Sequence, residues 1–494
     1  MLFIETFAYE IIVTLIYVIN FLVILNLIFR EKRSIEATFA WIIILSAVPA
    51  LGFIMYLIFG RGVSKDNMFR IKEKEDKIIK NNILDTQFRL KYHSNLNGSV
   101  AKHRDMIYAL ANSNSAHFTN NNDVFIYPKS SDFFDTLLED LRQAKHYINI
   151  QFYIFKDDKI GSEIINILLQ KAHEGVEVRL LYDAVGSRLI SDKTILQLRA
   201  SGVKVGAFFP SFLKIVNFNL NYRNHRKIVV IDGKIGFVGG NNVGDEYLGR
   251  SSKFGGWRDT HIKLMGDSVK DLNLRFILDW RYTTREDLDL DKYFKYDSSI
   301  NKDYTYVSSD NVGIQIVSSG PDAGELEEIK YGYIKMIQKA KDYVYIQTPY
   351  LILDQTLLET LKIACLSGVD VRIMIPSKPD HPFVYWASYS YAGELLKYGA
   401  KIYTYDKNSF LHAKTVVMDD SICSIGTANM DIRSFALNFE VNAFMYSSNI
   451  AKQQKSIFED DITKCKNITL DDYNDRTRII RFKESISRLL SPLL

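Results

Sequence analysis

A chain of 494 residues is too long for one small domain and has ample length to bury a core. Hydrophobic residues make up 47% and charged residues 24%, with only 9 Pro and 26 Gly, which excludes a collagen-like or wholly disordered chain. A net charge of +4, from 62 basic and 58 acidic residues, is too balanced for binding nucleic acid by bulk charge, and three scattered cysteines offer neither a disulfide framework nor a zinc knuckle.

At the N-terminus, residues 11–29 and 37–59 carry no charge, and each run is long enough to cross a hydrocarbon core of about 30 Å. Together they predict a transmembrane hairpin over residues 1–60, with a kink in the second run at Pro49 and Gly52. Glu5 and Glu10, with no basic residue, precede the first run, which argues against a cleaved signal peptide. Seven basic residues between 61 and 80, against three in the connecting turn, predict a multi-pass membrane protein with a cytoplasmic body. Residues 61–122 read as a basic and then Asn-rich linker.

Beyond residue 122, short apolar runs alternate with longer amphipathic stretches, the pattern of α/β layers. AKHYINIQFYIF (144–155) is answered by AKDYVYIQTPYL (340–351), GVEVRLLYD (from Gly175) by GVDVRIMIP (from Gly368), and SGVKVGAF (201–208) by YGAKIYTY (398–405). Three matched segments in one order, offset by 193 to 197 residues, predict a duplication, with one α/β unit over 123–310 and a second over 311–494.

Each unit then carries the same constellation. NHRKIVVIDGKIGFVGGNN (224–242) and LHAKTVVMDDSICSIGTAN (411–429) share the pattern H-x-K-x4-D-x6-G-[GT]-x-N, which selects His225, Lys227, Asp232 and Asn242 in the first and His412, Lys414, Asp419 and Asn429 in the second. On a strand, positions i and i+2 share a face, so each histidine stands beside its lysine. A neutral imidazole can attack phosphorus while ammonium and amide groups stabilise the non-bridging oxygens, and a second imidazole can protonate the leaving alkoxide. Asp232 lies five strand residues past Lys227, roughly 16 Å if extended, which suits fixing a turn better than moving a proton. A lysine beside each histidine disfavours a metal site, so none is expected.

A catalytic histidine also needs an acceptor for its second ring nitrogen. Within its own unit, His412 has Glu440 at 28 residues and His225 has Asp259 at 34, at equivalent places. The aromatic run 381–396 reads as core, with an acyl-chain entrance as the alternative.

The double motif resembles the phospholipase D superfamily. The N-terminal apolar pair, NYRNHRKIVVIDGKIGFVGGNNVGDEYLG, WRDTHIKL, QTPYL and GTANMDIRSFALNFEVNAF narrow the resemblance to bacterial cardiolipin synthases. That resemblance implies two similar α/β/α units in a bilobed body with one shared active site, no cofactor or metal, and a phosphohistidine intermediate. It also implies that two phosphatidylglycerols become cardiolipin and glycerol, with no nucleic acid partner. Its catalytic set falls on His225, Lys227, Asp232, His412, Lys414 and Asp419, with His225 favoured as nucleophile and His412 as acid and then base. Gly240 in the first unit stands where the second has Thr427, so only the second offers a hydroxyl to phosphate. A membrane-anchored phosphodiesterase that uses water as acceptor is the alternative.

Overall fold

The N-terminal helices and the α/β body are separate compact units of a computed structural model that describes residues 2–29, 35–59, 98–114, 116–210, 222–294, 306–322 and 326–491. The basic stretch 61–80 lies outside the described residues.

Helix Leu2–Phe29 contains a 20-residue apolar stretch, Glu10–Phe29, long enough to cross a membrane. The second apolar run differs from the expected single span: it is two helices, Ile35–Ala47 and Pro49–Phe59, each shorter than a bilayer-crossing segment. Chemistry explains the break. Pro49 has no N–H for the carbonyl of Leu45, four residues earlier, and Asn20 of the first helix supplies the missing donor. Its side-chain amide is 3.1 Å from the Leu45 carbonyl and 2.9 Å from that of Pro49. Gly52 lies on the inside of the bend, where a Cβ would come 2.6 Å from the Ile44 carbonyl. Asn20 is buried, and an amide in an apolar helix is costly there unless it is hydrogen-bonded, as it is to these carbonyls.

The body contains two sheets. The first is built from β1 (Asn122–Tyr127), β2 (Tyr147–Phe152), β3 (Glu177–Asp183), β4 (Lys204–Phe208), β5 (Ile228–Ile231), β6 (Ile235–Gly239) and β7 (His261–Gly266). The second contains β8 (Gly313–Ser319), β9 (Tyr343–Gln347), β10 (Asp370–Ile375), β11 (Lys401–Thr404), β12 (Thr415–Met418), β13 (Ile422–Gly426) and β14 (Asn438–Tyr446). Spatial order in the first is β1-β7-β6-β5-β2-β3-β4, and in the second β8-β14-β13-β12-β9-β10-β11, so the topology repeats strand for strand. In both, the β2-β3-β4 or β9-β10-β11 block is parallel and the rest antiparallel. The parallel strands are mostly buried, with apolar residues dominating their middles, as sheets covered by helices require.

One boundary differs from the sequence reading. Helix Arg104–Asn114 and the short strand Phe118–Thr119, inside the expected linker, belong to the second half: Met106, Ile107 and Leu110 are buried in its core, and Phe118 pairs with Gln315 of β8. The apolar face of that helix can be buried only against another element.

Candidate active site

Each histidine lies just before an inner strand, β5 or β12, and the two aspartates of the motif close the hairpins that follow. Asp232 accepts the backbone N–H groups of Lys145, His146 and Tyr147 at 2.8, 2.7 and 2.9 Å, and Asp419 accepts those of Lys341, Asp342 and Tyr343 at 2.8, 3.0 and 2.9 Å. Both adopt positive φ, 53° and 47°. These carboxylates fasten the hairpin turn to the start of the neighbouring antiparallel strand, β2 or β9.

The acids meet the histidines in a crossed arrangement. His225 Nδ1 lies 2.8 and 3.0 Å from the two carboxylate oxygens of Glu440, in the second half. His412 Nδ1 lies 2.7 Å from Asp259 Oδ2, in the first half. The expected pairing within each half is therefore corrected to an exchange between halves. Main-chain pairing dictates it: Arg223–Asn224 runs parallel to Asn438–Phe439, with His225 N–H donating to the Phe439 carbonyl at 3.0 Å. In the mirror relation, Ser409–Leu411 runs parallel to Gly256–Arg258, and His412 N–H donates to the Arg258 carbonyl at 2.7 Å. Each histidine is thus hydrogen-bonded into the segment that carries the opposite acid.

Lys227 Nζ donates to the His225 carbonyl at 2.7 Å, and Lys414 Nζ donates to that of His412. An ammonium has three hydrogens, so each lysine keeps further donors for a substrate anion. Tyr153 stands edge-on to the His225 ring, with centroids 4.9 Å apart, and Trp257 flanks His412 at 5.1 Å.

Three predicted binding residues are used inside the protein. Thr427, expected to face phosphate, donates instead to Glu440 Oε2 at 2.5 Å. Asn242 accepts from the Ile154 N–H at 3.1 Å and donates to the Tyr247 hydroxyl at 3.2 Å, so its amide secures the loop after β6. Asn429 donates to Asp431 at 3.3 Å, while its amide oxygen has no hydrogen-bond partner among the described residues. Gly240 occupies the place of Thr427, and the reason for glycine is steric: a Cβ there would come 1.9 Å from Asp259 Oδ1.

Two buried arginines escaped the sequence reading. Arg226 donates through Nε to the Glu440 carbonyl at 3.0 Å and through Nη1 to both oxygens of Asp279 at 2.7 Å. Arg258 grips the Asp259 carbonyl and pairs with Asp461 at 2.7 Å. Gln151 and Gln347, at equivalent places on β2 and β9, donate to Asp279 and Asp461 at 3.0 and 2.9 Å. The backbone carbonyl of each acid beside a histidine is thus held by an arginine, whose aspartate partner also accepts from a glutamine. Asp279 carries a legible signal, a single acid in the apolar stretch RFILDW, since a charge there survives only if paired.

Burial lowers both catalytic candidates, His225 and His412, to about 4, with Lys227 and Lys414 adding to the effect and the carboxylates opposing it. Lys414 acts on His225 and Lys227 on His412, so the two motifs share one electrostatic site. Against burial, which pushes carboxyl groups up, His225 and Lys227 hold Glu440 below its ordinary value, and His412 and Lys414 hold Asp259 below its own. Burial takes Lys414 down to about 8 against the opposing carboxylates Asp259 and Glu440. His103 is also lowered by burial to about 4, and His261 to about 3.

These four histidines carry a stability consequence. Between an ordinary value near 6.5 and about 4 the unfolded chain binds protons that the fold excludes, so stability falls as pH falls through that window. Glu440 and Asp259, whose values are depressed, keep their contribution until more acidic pH. Thermal unfolding of the detergent-solubilised protein is expected to show a falling Tm from about pH 6.5 downward, before carboxylate protonation sets in.

Comparison with known proteins agrees with this geometry. The family model described as "Cardiolipin synthase, PLD-like domain" matches twice, over residues 137–252 and 333–462, and "Phospholipase_D-nuclease N-terminal" matches residues 18–61. A cardiolipin synthase of Staphylococcus aureus (strain Mu50 / ATCC 700699) is 49% identical over 97% of this chain and 95% of its own. The major cardiolipin synthase ClsA of Bacillus subtilis (strain 168) is 48% identical over 98% and 99%. Among solved structures, the phosphatidylserine synthase of Haemophilus influenzae Rd KW20 shares the fold, at 15% identity and a TM-score of 0.61, over 79% of this chain and all of that one. With two crossed histidine–acid pairs in a duplicated fold and nearly half its residues shared along almost its whole length, the chain belongs to the cardiolipin synthases of the phospholipase D superfamily.

Proposed function

We propose that the enzyme transfers a phosphatidyl group between two phosphatidylglycerols through a phosphohistidine on His225, with His412 as the proton carrier. The observation that carries this reading is the crossed pairing of each imidazole Nδ1 with a buried carboxylate. An Nδ1–H directed at a carboxylate leaves Nε2 with its lone pair for chemistry. Burial keeps His225 neutral at physiological pH, as a nucleophile requires.

In the first step, Nε2 of His225 bonds to the phosphorus of one phosphatidylglycerol, the bond from phosphorus to the glycerol oxygen breaks, and His412 gives that oxygen a proton. In the free site burial outweighs Asp259 and leaves His412 neutral, so the proton it gives is taken up together with the substrate, whose phosphodiester charge favours the imidazolium. In the second step, His412 takes the proton from the terminal hydroxyl of another phosphatidylglycerol, whose oxygen bonds to phosphorus as the P–N bond breaks. Lys227 and Lys414 stabilise the non-bridging oxygens in both steps. Asp232 and Asp419 act on the turns, and Thr427 acts through Glu440. One phosphodiester is exchanged for another, so no high-energy donor is required.

Membrane association accords with the family and with the apolar helix Glu10–Phe29. We infer that the interrupted second run also enters the bilayer, which makes the protein multi-pass, and that the body is cytoplasmic. The charge count of residues 61–80 supports that orientation.

The test is mass spectrometry of products after purified protein is given phosphatidylglycerol vesicles in the presence of a chelator. Cardiolipin and glycerol in equal amounts are expected. Phosphatidic acid without cardiolipin would replace the second phosphatidylglycerol by water and overturn the transferase assignment.

A further inference from the structure

Helix Arg478–Leu489 is built inside out. A helix on a globular body normally buries its apolar stripe and exposes its charges, but here the packed face is polar: Glu484 and Ser487 are the buried residues. Glu484 accepts from Arg476 Nε at 2.8 Å and from the Tyr473 hydroxyl at 3.3 Å, and Arg488 pairs with Glu394 at 2.5 Å. The apolar residues point outward, with Ile479 67%, Phe482 66%, Ile486 38% and Leu489 76% exposed. Their spacing of three, four and three residues puts them on one stripe. Arg478 and Lys483 border that stripe, and Arg481 adds a third charge on the solvent side.

We propose that this helix is a second membrane contact of the enzyme, lying in the headgroup region of an anionic bilayer with its apolar stripe among the acyl chains. A short helix with an outward apolar face and basic borders is the chemistry that recognises an anionic lipid surface. The basic border also disfavours a second copy as occupant, because a self-complementary contact would bring like charges together. The helix packs along Pro382–Leu396, with Lys483 over the Trp386 ring at 5.2 Å and Arg488 over Tyr391 at 4.2 Å. That neighbour adds an exposed apolar side chain, Phe383, 52% accessible. It begins two residues after Asp380, which accepts from Tyr350 and acts on Lys414 of the site. The membrane-facing stripe therefore sits beside the element that leads to the catalytic lysine, where a lipid leaving the bilayer would enter. The run 381–396 is thus neither all core nor all entrance: Tyr391 is buried and Phe383 is exposed.

The test uses the full-length protein in vesicles of phosphatidylglycerol and phosphatidylcholine. A photo-crosslinking benzoylphenylalanine placed at Phe482 is expected to form adducts with lipid. Adducts with a second protein chain would identify a copy-to-copy interface instead, and absence of adducts a solvated helix; either overturns the proposal. In parallel, the double variant Ile479→Glu and Phe482→Glu is expected to lower turnover on vesicles about tenfold while leaving turnover of monomeric short-chain phosphatidylglycerol unchanged, which also shows that the variant is folded. Equal loss on both substrates, or loss on neither, overturns it. These outcomes are independent of the transferase assignment, whose failure would appear as absence of cardiolipin from the unaltered enzyme.

Discussion

The variant His412→Asn is expected to lose cardiolipin formation by roughly 10²–10⁴-fold, the usual worth of a general acid and base, while still reacting once with a substrate whose leaving group needs no proton. Asparagine cannot transfer a proton, so glycerol stays a poor leaving group. On a phosphatidyl ester of p-nitrophenol the phenolate departs unaided, and His225 should be left carrying the phosphatidyl group. The readout is a burst of one equivalent of nitrophenol, followed by an acid-labile, base-stable adduct mapped to His225 by mass spectrometry. His225→Asn should give neither burst nor adduct. The reverse pattern would move the nucleophile to His412. Both rings have the same kinds of hydrogen-bond partner, a carboxylate on Nδ1 and a lysine on the backbone carbonyl, so a chemical trap is needed to separate their roles.

A single methyl group at Gly240 is expected to cost nearly as much. An alanine Cβ there would stand 1.9 Å from Asp259 Oδ1 and 2.6 Å from its Cγ, well inside van der Waals contact. Asp259 cannot retreat freely, because Oδ1 accepts the Thr260 N–H at 2.7 Å while Oδ2 holds His412. The carboxylate must turn, and His412 loses the partner that fixes its tautomer. Losses near 10⁴-fold accompany a mis-set tautomer in comparable triads, and a fall in kcat of at least about 10²-fold is expected, with the secondary structure retained. Thr427→Ala, at the equivalent position, invades no space but removes the donor to Glu440 and the acceptor of the Val441 N–H at 2.9 Å. A loss of about tenfold, one charge-assisted hydrogen bond, is expected there. Equal activities for the two variants would show that Asp259 does not orient His412.

Much of the site was legible because its chemistry is local. Histidine and lysine two residues apart on a strand, and an aspartate at the hairpin, are set by backbone periodicity, and the two-residue step and the turn role of Asp232 can be read from spacing alone. Pairing between distant segments could not be read that way. Asp259 and Glu440 were both identifiable, but two equivalent acids and two equivalent histidines permit two pairings, and the choice depends on short parallel pairings of two and three residues with no signature of their own. The arginines were hidden for another reason: a charge is normally read as surface, and only the fold shows that Arg226 is buried against Asp279. In the membrane segment, Pro49 was visible as a kink, whereas its dependence on Asn20, 29 residues away, needs the packed helices.

The crossed pairs bear on how such an enzyme could arise. A single ancestral unit, possessing one histidine and one acid, could not have brought its own pair together in this geometry; it would have worked only as two identical subunits, each lending its acid to the other. In that arrangement both acids and both small residues beside them must be the same. Within one chain that constraint is absent. One half now combines glycine with the shorter aspartate and the other combines threonine with the longer glutamate, a division of labour that identical subunits could never inherit.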